Sequence, residues 1–113
     1  MSTMRNSVML IGRPGAEPEI KNVGNNSKRA RFNLAVAERR LNANDEWVTD
    51  TQWFNIVAWG KVAERVEKNV RKGLQIAVDG SLRNNEWVDD NGQRHNSIEV
   101  WVNDLFMIDR VKE

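Results

Sequence analysis

The chain has 113 residues, a length that suits one domain built around one core. It contains no cysteine, which excludes disulfide frameworks and thiolate metal sites, and no apolar run reaches membrane-spanning length. The net charge of +1 neither favours nor opposes a polyanionic partner, but its distribution is uneven: residues 21–40 hold six basic residues against Glu38, a net of +5, while residues 73–113 hold four basic residues against eight acidic ones, a net of −4.

The opening MSTMRNSVMLIG has one arginine and an apolar burst too short for a secretory signal, so a cytoplasmic protein is expected, with no membrane partner. Residues 6–12 read as a short, largely apolar strand. RPGAEP (13–18) breaks it with two prolines and a glycine; EIKNV (19–23) resumes it weakly, and GNNSK (24–28) is turn chemistry. Over 28–39, Ala30, Phe32, Leu34 and Val36 alternate with Arg29, Arg31, Asn33 and Arg39, the pattern of a strand with one apolar and one polar face. NANDE (42–46) reads as a hairpin loop, and a long strand follows over 47–59.

KVAERVEKNVRKG switches to helical period over about 61–72: Val62, Val66 and Val70 share a face with Ala63 beside them. Glu64–Lys68 and Glu67–Arg71 are spaced for ion pairs, and Gly73 suits the position just past the helix end. Strands return at about 74–87 and 93–108, with Leu74, Ile76, Val78 and Leu82 on one parity and Ile98, Val100 and Val102 facing inward. DDNG (89–92) joins them as a hairpin turn. Five strands with a helix between the third and fourth give an all-β OB-fold, a Greek-key barrel, over a single domain spanning 1–113 with no separate C-terminal tail domain.

The parity opposite the expected core is unusual. The third strand places Phe54, Ile56 and Ala58 inward and Trp53, Asn55, Val57 and Trp59 outward, with the two indoles ~20 Å apart along the strand. The fourth strand adds Arg83, Asn85 and Trp87 to this outer parity, and the second adds Arg29, Arg31 and Arg39. Unpaired bases have free π-faces that stack on indole for ~1–3 kcal/mol each, and guanidinium groups supply both charge and a stacking plane. The face therefore suits single-stranded nucleic acid bound with little sequence preference. Stacking is expected from Trp53, Trp59 and Trp87, with Trp47 and Arg40 as further candidates; phosphate contacts are expected from Arg29, Arg31, Arg39, Lys61, Lys72 and Arg83. Trp101 shares the outer parity beside Glu99 but has less basic neighbours, so edge packing or a subunit contact is expected there.

Over nearly its whole length the chain resembles the bacterial single-stranded DNA-binding protein family. The matching pieces run in order: Ser7–Arg13, Pro18-Glu19, Phe32–Ala35 with Glu38, Thr51–Glu64, Val70–Gly73, Val78–Arg83, and Trp87 with Gly92-Gln93. The resemblance implies an OB-fold that assembles as a homotetramer, with a dimer as the alternative, and wraps single-stranded DNA in replication, recombination and repair. It also implies that Trp53, Trp59 and Trp87 match the family's base-stacking positions. Three departures stand out: Arg40 replaces an aromatic, Phe54 replaces a histidine, and Asn85-Glu86 replaces a basic pair. The flexible, acidic-tipped tail of many members, which recruits replication and repair proteins, has no counterpart after Asp109–Glu113, which leaves such recruitment open.

No enzyme, cofactor or metal is expected. His95, the sole histidine, lies beside a turn, where it reads as a solvated side chain, and the acids at 45, 46 and 50 and at 89 and 90 fall in hairpin loops where Asp serves turns. The competing readings are a primosome-type OB adaptor that acts through protein partners and a carbohydrate-binding OB module that uses the tryptophans for sugar stacking.

Overall fold

A computed structural model describes residues 4–109. The elements are β1 (Val8–Pro14), β2 (Glu19–Asn22), β3 (Lys28–Leu41), β4 (Trp47–Trp59), α1 (Gly60–Asn69), β5 (Ile76–Val88) and β6 (Arg94–Met107). Their order across the sheet is β1-β5-β6-β4-β3-β2, and a further β1–β3 pairing closes it. That closure rests on two residue pairs, Arg13↔Ala35 and Pro14↔Leu34. All neighbours are antiparallel except β4 and β6, which run parallel over Asn55–Val57. The result is the five-stranded OB barrel expected from the element order, with α1 between β4 and β5 and β2 added along β3.

Closure puts one face of each strand inside. Leu34, Ile56, Val78, Val100 and Leu105 are fully buried, and α1 packs Ala63 and Val66 into the same cluster, joined by Val70 just past its end. Deleting one such large side chain typically costs 2–5 kcal/mol, so this cluster supplies much of the stability. The first strand is broken at Gly15, and both pieces lie on one edge of β3: β1 pairs with residues 34–35 and β2 with residues 28–31.

Several expectations shift in register. β1 begins at Val8 instead of residue 6, because the Asn6 side-chain amide takes up the strand's bonding: it donates to the Leu82 carbonyl at 3.0 Å and accepts the Leu82 N–H at 2.7 Å. The helix ends at Asn69, and Val70 is already extended, so Gly73 lies in the following turn. Glu67 does not pair with Arg71. Its carboxylate takes Lys28 at 2.6 Å, while the Arg71 guanidinium donates to the carbonyls of Glu67, Lys68 and Val70. A cation on the last carbonyls of a helix is favourable because those groups lack internal partners and carry the negative end of the dipole.

Leu82 and Ile98 are exposed, not inward-facing. A register shift at Asp79/Gly80 bends the β5–β6 pair, and residues 84–88 with 94–98 run on past the barrel as a two-stranded arm. A second arm is formed by residues 38–41 with 47–50. Each loop is held by one side chain. Asn42 Oδ1 accepts the N–H groups of Asn44 and Glu46; Asp89 Oδ1 accepts those of Asn91 and Gln93. These are the Asx turns that the composition of both loops predicts.

Gly12 sits where β1 meets β3. A Cβ there would lie 2.2 Å from the Ala35 carbonyl oxygen. Gly12→Ala is therefore expected to lose at least ~2 kcal/mol, since over-packing against backbone cannot be relieved by a rotamer change. Urea unfolding followed by tryptophan fluorescence checks this, with a midpoint equal to wild type as the contrary result.

The carboxyl of Asp104 is held below the usual range by the Arg65 guanidinium and the Leu105 N–H, and that of Asp109 by the Gln75 N–H and then Arg13. Depressed values in the folded state mean that these contacts stabilise above the unfolded value of ~3.9 and are lost as pH falls through the lower folded values. Thermal unfolding midpoints should fall below about pH 4. The fall should be shallower in a double Asp104→Asn, Asp109→Asn protein, which has already lost the charges concerned.

Candidate nucleic-acid interface

The outer face of the barrel is built row by row across four strands. The β3–β4 register sets Arg29 opposite Trp59, Arg31 opposite Val57, Asn33 opposite Asn55 and Ala35 opposite Trp53. Parallel pairing then sets Asn55 beside Glu99 and Val57 beside Trp101, and the β5–β6 register sets Glu99 opposite Arg83. One row therefore reads Asn33, Asn55, Glu99, Arg83 across β3, β4, β6 and β5.

The three indoles expected to stack are all open to solvent: Trp53 is 60% exposed, Trp59 40% and Trp87 46%. Each sits in a different setting. Trp53 lies over Gly15 at the broken first strand and walls a cleft of about 760 Å³ with Arg29, Arg31, Asn33 and Asn55. A Cβ on Gly15 would stand 2.6 Å from that ring, so the bare backbone there is what allows the indole to approach the loop so closely. Trp59 tilts against Trp101, with ring centroids 5.4 Å apart at 59°. These two rings line a second cleft of about 200 Å³ with Arg29, Arg31, Asn85 and Glu99. Arg29 and Arg31 thus belong to both clefts. Trp87 stands on the β5–β6 arm and lines a separate cleft of about 340 Å³ with Glu86, Arg94 and His95.

The cations divide into engaged and open groups. Arg83 lies over the Trp101 ring at 4.6 Å and Arg39 over the Trp47 ring at 5.3 Å, both within cation–π range. Arg31 pairs with Glu99 at 3.2 Å. The Arg29 Nε is buried without a hydrogen-bond partner, a guanidinium donor left unsatisfied between the two clefts. Lys61 and Lys72 are exposed and lie outside the clefts. Arg40 is bound to Asp50 and has the opposite parity, so it projects from the face that does not carry Trp53 and Trp59. Trp47 is 61% exposed at the base of its hairpin loop, on the outer parity.

Three features were outside the reach of residue pattern. Val57 has the outer parity yet is only 2% exposed, because Trp101 lies beside it and covers it. Trp101 itself packs into the cleft with Trp59 and donates its Nε1 proton to Glu99 at 3.2 Å. His95 is not a free loop side chain: its ring stacks on Trp87 at 5.3 Å and 20°, and its Nε2 lies 2.7 Å from Asp89 Oδ2. The Asp89 carboxyl is held below the usual range, first by His95 and then by the N–H groups of Gln93 and Asn91. One aspartate therefore fixes both the turn and the ring behind Trp87.

The sequence matches the single-strand binding protein family over residues 5–108. It is 32% identical over 106 residues to the single-stranded DNA-binding protein of Treponema pallidum (strain Nichols), a match that covers 94% of this chain and 59% of that protein. The chain therefore spans under two thirds of the length of that relative. Among solved structures, the Plasmodium falciparum SSB in complex with ssDNA superposes with a TM-score of 0.85 at 33% identity, covering 96% of this chain and 99% of that one.

Removing the ring behind Trp87 should change that indole alone. In His95→Ala, the Trp87 indole N–H resonance is expected to move and to become more accessible to solvent, while the resonances of Trp53 and Trp59 stay in place. A two-dimensional nitrogen–proton spectrum resolves the five indoles and would show five unmoved peaks if the stacking were unimportant.

Proposed function

The chain belongs to the single-strand binding protein family, and on that basis we propose that it binds single-stranded DNA with little sequence preference, by stacking bases on Trp53, Trp59 and Trp87. The observation that carries this reading is the exposure of these three rings on outer strand faces, each bordering a cleft that an arginine also lines. A duplex has its π-faces already stacked and offers little to such rings, whereas a single strand exposes one face per base.

Arg29 is the best placed phosphate contact, because its side chain lines both clefts. Arg39 and Arg83 would keep their guanidinium planes on Trp47 and Trp101 while offering their edges to the backbone. Lys61 and Lys72 would add diffuse attraction at the rim. Trp47 would extend the path along the β3–β4 arm.

We read the protein as a binding protein and not an enzyme, working in the cytoplasm during replication, recombination and repair. A homo-oligomer, as a tetramer or a dimer, fits the exterior of β1. Among the described residues, 8–12 of that strand pair with β5 alone, which leaves their other edge open, and Met9, Ile11 and Phe106 make an exposed apolar surface beside it.

Adding oligo-dT should quench tryptophan fluorescence, with affinity falling as salt rises; a duplex of equal length should quench far less. Trp53→Ala with Trp59→Ala should lose most of the affinity, on the order of 2–6 kcal/mol for two stacked bases, while the unfolding transition stays cooperative. Equal quenching by duplex, or loss of the fold in the double variant, would overturn this reading. Salt-independent binding of an oligosaccharide would favour the sugar-stacking alternative.

A further inference from the structure

One side chain on the outer face runs against the chemistry of a nucleic-acid interface. Glu99 is an acid, 6% exposed, set among Trp59, Trp101, Arg29 and Arg31. A buried carboxylate is costly unless it is fully partnered. Here both oxygens are used: Oε2 accepts from the Arg31 guanidinium and Oε1 from the Trp101 indole, each at 3.2 Å. The carboxylate thus ties one arginine of the clefts to the ring that braces Trp59.

A carboxylate and a phosphodiester offer a guanidinium the same thing, two anionic oxygens matched to its fork. While Glu99 holds Arg31, that positive charge is cancelled on the spot. A phosphate approaching Arg31 would also meet the negative charge of Glu99 at close range. Arg29, which also lines both clefts, forms no ion pair among the described residues.

We propose that Glu99 is a built-in counter-anion of the interface. This rests on the reading of the face as a single-stranded DNA site and refines it. Glu99 keeps Arg31 off the phosphates and uses it to fix Trp101 against Trp59, so the middle of the face receives bases while the backbone is held elsewhere. Arg31 is then a positioning residue, not a phosphate contact. The salt dependence of binding is lower than the number of arginines on the face would give.

The test is a four-protein cycle: wild type, Glu99→Gln, Arg31→Gln and the double variant, each titrated with oligo-dT over a salt series. For single strands each phosphate contact contributes about 0.7 to the slope of log affinity against log salt. Glutamine keeps the acceptor for Trp101 and removes the charge. Glu99→Gln is expected to steepen the slope by about 0.7 and to tighten binding at low salt, as Arg31 becomes free to meet a phosphate. Arg31→Gln alone is expected to leave the slope unchanged, and in the Glu99→Gln background to cancel the gain. A slope that falls by about 0.7 in Arg31→Gln alone, or that stays at the wild-type value in Glu99→Gln, would overturn the proposal. Should Glu99→Gln fail to fold, Arg31→Gln decides by itself, because an arginine already on phosphate must lower the slope. Wild-type binding that shows no salt dependence would remove the DNA reading, and this inference with it. Salt-dependent wild-type binding with an unresponsive cycle would remove only the role of Glu99.

Discussion

The whole arrangement depends on two residue pairs. Among the described residues, Arg13↔Ala35 and Pro14↔Leu34 are the pairs that join β1 to β3, and they turn an open sheet into a barrel. Closure decides which parity of each strand is core and which is surface, since one face of every strand is sealed against α1 and its opposite neighbours. The seam needs backbones close enough that only hydrogen fits on Gly12. Immediately after it the chain breaks at Gly15, and the break makes the bed on which Trp53 lies. The element that closes the core thus also shapes the wall of the cleft beside Trp53.

Exposed aromatic rings on a water-facing surface are costly to the free protein, because each leaves apolar area hydrated. The structure limits that cost by giving each ring a partner on one side. Trp53 has the Gly15 backbone, Trp59 has Trp101, Trp87 has His95 and Trp47 has Arg39. Each indole is covered on one side and still open to solvent. Such mounting also lowers the entropy lost on binding, because a braced ring has fewer conformations to give up.

Much of this was legible in residue order. Alternation through residues 28–36 identified Ala30, Phe32, Leu34 and Val36 as core, and helical spacing identified Ala63, Val66 and Val70. The open placement of Trp53, Trp59 and Trp87 followed from the same period. What escaped was non-local. Parallel pairing of β4 with β6 brings Trp101 beside Val57, across more than forty residues of chain, and no local pattern encodes that register. The pairing of Glu67 with Lys28 and the shift at Asp79/Gly80 are of the same kind, since each depends on what the fold brings alongside. Arg40 is a different case, since strand alternation alone gives it the parity opposite to that of Trp53 and Trp59.

The two hairpin arms give the face a graded stiffness. A ribbon two strands wide with no layer behind it yields far more readily than a closed wall. Trp53 and Trp59 stand on the wall; Trp47 and Trp87 stand on the ribbons. A polymer lying across the molecule would meet fixed anchor points at its centre and swinging ones at either side. Its local pitch would be set by the barrel, and its heading as it leaves would be negotiated by the arms.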